Sequence, residues 1–196
     1  MRDSEVILPL RAVPQPSPML YHSGDCGACV LSGLLSKSVQ EVYDFFKGKI
    51  EAFSRPSIRN ALYKAEAHGL IDRYIHNVPT WDVPDSVKLW GSPSWLMNIE
   101  WFKYIQMAID AGYYGICNVS LDPQSAGHPG DHFVMICGTK VICPESVGSI
   151  RQELFISCSA RHPEGKWINS LEFLRNHGGF NVLLVRPVLP EDETET

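Results

Sequence analysis

Apolar positions follow one rhythm in the first part of the chain and another after it. Up to about residue 112 they recur every three or four positions; beyond it they run together in short stretches. After the Gly24-Asp25-Cys26-Gly27 turn, Val30, Leu31, Leu34 and Leu35 share a helical face. A second helix begins near Ser38, where Ser38 and Glu41 have capping-box spacing and Val39, Val42, Tyr43 and Phe46 form one stripe. A third runs from Pro56, a favourable first-turn residue, to about Gly69, with Ile58, Leu62 and Ala65 inward. A fourth covers 99–111, through Phe102, Ile105 and Ile109, and stops at Gly112. The strand-like runs 114–121, 132–137, 153–158 and 181–185 follow. A short helix, Ser170–His177, with cap residues Asn169 and Glu172, separates the last two. Helices first and strands afterwards predict an α+β fold with segregated elements.

Three segments lie outside this pattern. Residues 1–19 carry four prolines (Pro9, Pro14, Pro16, Pro18) and read as an extended arm on the body. Residues 72–98, rich in Trp, Pro, Asn and Asp, show no period and read as an irregular excursion. Residues 189–196 form an acidic tail expected to be disordered. The body, 20–188, is then one domain, large enough to bury a core without disulfide or metal staples.

Charge adds little to this picture. The net charge is −5, but Glu191, Asp192, Glu193 and Glu195 lie in the tail, which leaves a body near −1. That balance lacks the basic surplus of nucleic-acid binders. Neither a secretory signal nor an apolar run of transmembrane length is recognisable, so membrane insertion is not expected. The six cysteines then fit reduced thiols in the cytoplasm better than a disulfide scaffold. Cys117, Cys137, Cys143 and Cys158 lie on or beside strand patterns and read as core.

Two segments carry chemistry. Cys26 stands at the start of an apolar helix, where free N–H groups and the helix dipole favour a thiolate and can bind an oxyanion. His132 opens a buried strand after a Gly/Pro loop, a position from which an imidazole can reach a thiol on a facing helix. Cys26 and Cys29 also form a CxxC, but no apolar strand precedes it, as a thioredoxin-like unit would require. A zinc site on Cys26, Cys29 and His22 lacks a second ligand pair of recognisable spacing. No metal or cofactor is expected.

The segment Cys26-Gly27-Ala28-Cys29-Val30-Leu31-Ser32-Gly33-Leu34-Leu35 resembles the CGxAxLxMLL-type segment of papain-like cysteine peptidases. The nearest branch is that of the double-glycine leader peptidases of bacteriocin exporters. His132-Phe133-Val134-Met135 is similar to that family's HFVV strand, and the closing helix and strand over 170–187 also fit. The resemblance spans roughly residues 20–188 and implies a papain-like fold: a helical half carrying Cys26 packed on an antiparallel sheet carrying His132.

By this resemblance Cys26 is the nucleophile and His132 the general base, acting on an amide of a peptide or protein. Ser23-Gly24-Asp25-Cys26-Gly27-Ala28-Cys29-Val30 also looks like papain's QGxCGSCW, which would make Cys29 the nucleophile. The ungapped segment instead puts Cys29 where a small buried residue packs. The chain departs from the family twice. The oxyanion glutamine is missing, since Leu20 and Ser23 hold the two candidate positions. The backbone of Cys26 and Gly27, with His22 or Ser23, would replace it. Cys158 stands where an Asp or Asn should orient the imidazole, leaving Ser157 and Ser159 as candidate third members. Two other readings stay open: a catalytically inactive binding protein on this scaffold, and a CxxC redox protein.

Overall fold

Among the described residues the longest strand begins at His132, and the other elements are arranged around it. A computed structural model describes residues 3–16, 25–46, 55–75, 95–119, 132–143, 150–177 and 182–188. The strands are β1 (Ser4–Ile7), β2 (Ile71–Ile75), β3 (Tyr114–Val119), β4 (His132–Ile142), β5 (Arg151–Cys158), β6 (His162–Asn169) and β7 (Val182–Pro187). They pair antiparallel throughout, in the order β2-β7-β3-β4-β5-β6, with β1 also on β4. The helices are α1 (Cys26–Leu35), α2 (Val39–Phe45), α3 (Arg55–Ala67), α4 (Trp95–Asp110) and α5 (Ser170–His177). The protein is α+β, as the two rhythms of the sequence predict.

The near-continuous apolar run of β4 has a direct cause: helices cover the sheet on both faces. Phe133, Met135 and Cys137 pack with α1, α2 and α3 residues such as Leu31, Val42 and Leu62. Val134 and Ile136 pack with α4 and α5 residues such as Phe102, Ile105 and Phe173. A strand buried on both faces cannot alternate polar with apolar. The helix starts follow from local chemistry. At α2 the Ser38 hydroxyl accepts from the Glu41 amide (3.2 Å), and the Glu41 carboxylate accepts from the Ser38 amide (2.8 Å).

Three strands depart from the expected layout. Ser4–Ile7, read as part of an extended arm on the body, is a strand that pairs with Gly138–Val141. The β3–β4 ladder ends at Gly115↔Ile136, so the far half of β4 has room on that side, and β1 fills it. Gly138 permits the crossing, since a Cβ there would lie 2.5 Å from the Val6 carbonyl oxygen. β2 lies largely within the segment read as irregular, of which 76–94 falls outside the described residues. β6 carries no apolar run and is a strand because β5 supplies its ladder. The acidic tail, 189–196, also lies outside the described residues.

Further along the arm, Val13 and Gln15 bond to residues of the site. Val13 N–H donates to the Cys29 carbonyl (3.1 Å), and Gln15 N–H donates to the Ser159 carbonyl (3.0 Å). The arm therefore ties the start of α1 to the end of β5.

Candidate thiol–imidazole site

Helix α1 begins at Cys26, and its first two turns are buried on every side, from Cys26 through Ser32. The continuous apolar composition of this helix places it between the arm, α2 and the sheet. Asp25, the residue before it, makes no side-chain cap. Its carboxylate is fully buried and accepts a 2.6 Å hydrogen bond from the Tyr43 hydroxyl of α2. The pair is not among the residues the sequence singles out as a site; its signals are an acid beside the cysteine and a hydroxyl-bearing tyrosine within an apolar stripe.

Cys26 keeps only 8% of its surface exposed. Burial pushes its thiol above the ordinary range, hydrogen bonds from the backbone of Phe133, Gly27 and Cys26 itself pull it down, and the nearby Cys158 thiol pushes it up. Burial prevails, so the resting group is a thiol rather than a thiolate. The contact with Phe133 joins the start of α1 to the start of β4, next to His132. Gly27 takes part through its backbone, while His22 and Ser23 lie outside the described residues.

His132 is buried, and its Nε2 lies 3.3 Å from Cys158 Sγ. The tautomer decides which group donates. Its carbonyl oxygen accepts from the Asn118 side-chain amide at 3.3 Å, which fixes the backbone at the strand mouth. Neither serine expected to orient the imidazole does so. Ser157 Oγ donates to the Pro163 carbonyl (2.7 Å) and accepts from Ala12 N–H (2.9 Å). Ser159 Oγ lies beside the Cys29 thiol and has no partner of good hydrogen-bond geometry among the described residues. The pleat of β5 turns Ser157 to the arm at Ala12 and sends Cys158, with Ile156, to the core on the other face. Cys158, which the sequence reading assigned to core, is the residue that meets the ring.

Cys29 is fully buried, with Sγ facing the Pro14 carbonyl at 3.9 Å. Burial, then the charges of Asp25 and Cys26, push its thiol up to about 12, against a weaker pull from Ser159. All six cysteines are free thiols. Among the described residues no group of three or more His, Cys, Asp or Glu is arranged to hold a metal, and no helix is long and apolar enough to cross a membrane.

Chemically, the site offers two thiols and one imidazole at a helix start. The sheet separates them: Cys26 belongs to the core on the α1 face, and Cys158 to the core on the α4 and α5 face. The class that fold and site define is an α+β protein with a buried thiol–imidazole cluster. Compared with known proteins, the chain matches no family model, no curated protein and no solved structure.

Proposed function

We propose that the protein is a papain-like, thiol-dependent hydrolase or acyltransferase acting on an amide of a peptide or protein, with Cys26 as nucleophile and His132 as general base. The observation that supports it is the meeting of the two starts. Cys26 Sγ takes a backbone hydrogen bond from Phe133, the residue after His132, while Cys158 Sγ lies 3.3 Å from His132 Nε2.

In the productive tautomer, His132 Nε2–H donates to Cys158 Sγ, and Nδ1 carries the lone pair that takes the Cys26 proton. A raised thiol requires this base during attack, because little thiolate stands ready at neutral pH. Sulfur then bonds the carbonyl carbon, and backbone N–H groups at Cys26 and Gly27, with His22 or Ser23, hold the oxyanion. The imidazolium returns its proton to the leaving amine, and water or an acceptor amine releases the thioester. No metal or cofactor enters this scheme. Six free thiols fit a reducing compartment, which favours the cytoplasm.

The second reading is a catalytically inactive binding protein on the same scaffold. The raised Cys26 thiol and the thiol in place of a carboxylate at His132 favour it. The CxxC redox reading is disfavoured by the depth and high pKa of Cys29.

Alkylation by iodoacetamide, followed site by site by mass spectrometry from pH 5 to 10, separates the first two. Catalysis predicts a Cys26 rate that rises through the histidine range and falls at least tenfold in His132→Ala. A rate that climbs only above pH 9 and ignores that substitution overturns the enzyme reading.

A further inference from the structure

Cys158 opens onto a different part of the molecule from Cys26. On the α5 side of the sheet, β5, β6 and α5 enclose a cleft of about 320 Å³, and Cys158 forms part of its lining. Val134, Ile156 and Phe173 make its apolar floor, while Arg161 and Lys166 stand at its exposed rim. The volume is at the lower end of the small-ligand range, and an apolar floor with a few polar groups is the usual composition of such sites.

The rim charge has a sign. Glu153 is neutralised by Arg151 at 2.6 Å, and His162 faces Glu164 at 3.7 Å. Arg161 and Lys166 make no ion pair among the described residues, and Glu172 is the remaining acid in the lining. The β5–β6 turn ties the backbone of Arg161 to that of Cys158, the Arg161 N–H donating to the Cys158 carbonyl at 3.2 Å, and both residues line the cleft.

At the inner end of this cleft the thiol has a base. Cys158 Sγ and His132 Nε2 are 3.3 Å apart, within reach for proton transfer. The tautomer opposite to the one Cys26 needs, with Nε2 unprotonated, lets Nε2 take the Cys158 proton.

We propose that Cys158 is a second nucleophile, activated by His132 Nε2, in a small-molecule cleft that takes an electrophile with a compact apolar body and an anionic head. The anion rests on Arg161 and Lys166. With an activated acyl group, the sulfur–carbon bond forms as the bond to the leaving group breaks, and the leaving group takes the proton from the imidazole. With a haloacid, the sulfur–carbon bond forms, halide departs, and the proton passes from Nε2 to solvent. The proposal does not depend on Cys26 being catalytic.

The test uses two reagents that share one reactive carbon and differ in charge, iodoacetate and iodoacetamide, on the full-length Cys26→Ala protein at pH 7.5. Labelling is read on the peptide that carries Cys158. The expected result is a Cys158 rate above that of glutathione, with an iodoacetate-to-iodoacetamide ratio at least threefold above glutathione's. Arg161→Glu with Lys166→Glu, both surface changes that leave the core intact, should invert that preference. His132→Ala should slow both reagents at least tenfold. Labelling no faster than glutathione overturns the proposal, as does a charge preference unmoved by the two glutamates. In the unsubstituted protein the Cys26 rate is read on its own peptide, so failure here and failure of the amide-hydrolase reading are told apart.

Discussion

Cys158 Sγ and His132 Nε2 face each other at 3.3 Å, both residues buried. A thiol is by its ordinary chemistry a much weaker acid than a carboxyl group. Cys158→Asp should therefore raise the imidazolium pKa of His132 by about one to three pH units, because an adjacent carboxylate favours the charged ring. The Cys26 alkylation rate at pH 6 to 7 should change with it. NMR titration of the His132 ring follows the effect; a midpoint unchanged from the parent would show that residue 158 does not touch the ring in solution.

Ser157 holds the arm rather than the ring. Its hydroxyl accepts from Ala12 N–H and donates to the Pro163 carbonyl, at a fully buried position. Ser157→Ala deprives a buried amide of its acceptor and should cost about 1–3 kcal/mol. Denaturant unfolding measures the cost, and the pH dependence of Cys26 alkylation should keep its shape. A shifted profile with stability unchanged would return Ser157 to the site.

The parts of the fold written in local chemistry were legible in the sequence. The capping box at Ser38 and the helical stripe through Ile58 and Leu62 announce α2 and α3 because each depends on residues a few positions apart. β1 and β6 were not legible, since each becomes a strand only when a distant strand, β4 or β5, offers a ladder. The same distinction runs through the site. Cys26 at a helix start and His132 at a strand start stand out in the sequence. Which of Ser157, Cys158 and Ser159 meets the imidazole depends on the pleat, and one step of register reverses the answer. Asp25 and Tyr43 were obscured for a similar reason: 18 residues separate them, and only the packing of α2 on α1 brings them together.

Gly33 is a contact point between α1 and the arm. A Cβ there would lie 1.8 Å from the Arg11 carbonyl oxygen and 3.2 Å from Ala12 Cα, both backbone atoms that no rotamer change can move. Gly33→Ala should lift the arm from the helix at a cost of about 1–3 kcal/mol, in the range of overpacked cores. Trypsin should then cleave after Arg11 faster than in the parent, while cleavage rates elsewhere follow the global loss. An arm that stays equally resistant, with stability preserved, would show that the arm does not rest on α1 in solution.

Cys137 gives the protein an alkaline limit. The residue is fully buried, and burial pushes its thiol from 9.0 to about 12 despite opposing contributions from Arg11 and the backbone at Ser157. The sign follows from proton counting: above pH 9 the unfolded chain releases this proton while the folded chain keeps it, so raising the pH favours unfolding. The contribution is fully present below pH 9 and declines by about 1.4 kcal/mol per pH unit toward 12. Cys137→Ala loses packing at every pH but removes this titration. Its stability deficit relative to the parent should therefore shrink between pH 8.5 and 10.5 in denaturant midpoints measured under reducing conditions. Parallel curves over that interval would mean that the Cys137 thiol titrates alike in both states, and the account of a sealed thiol at this position would fail.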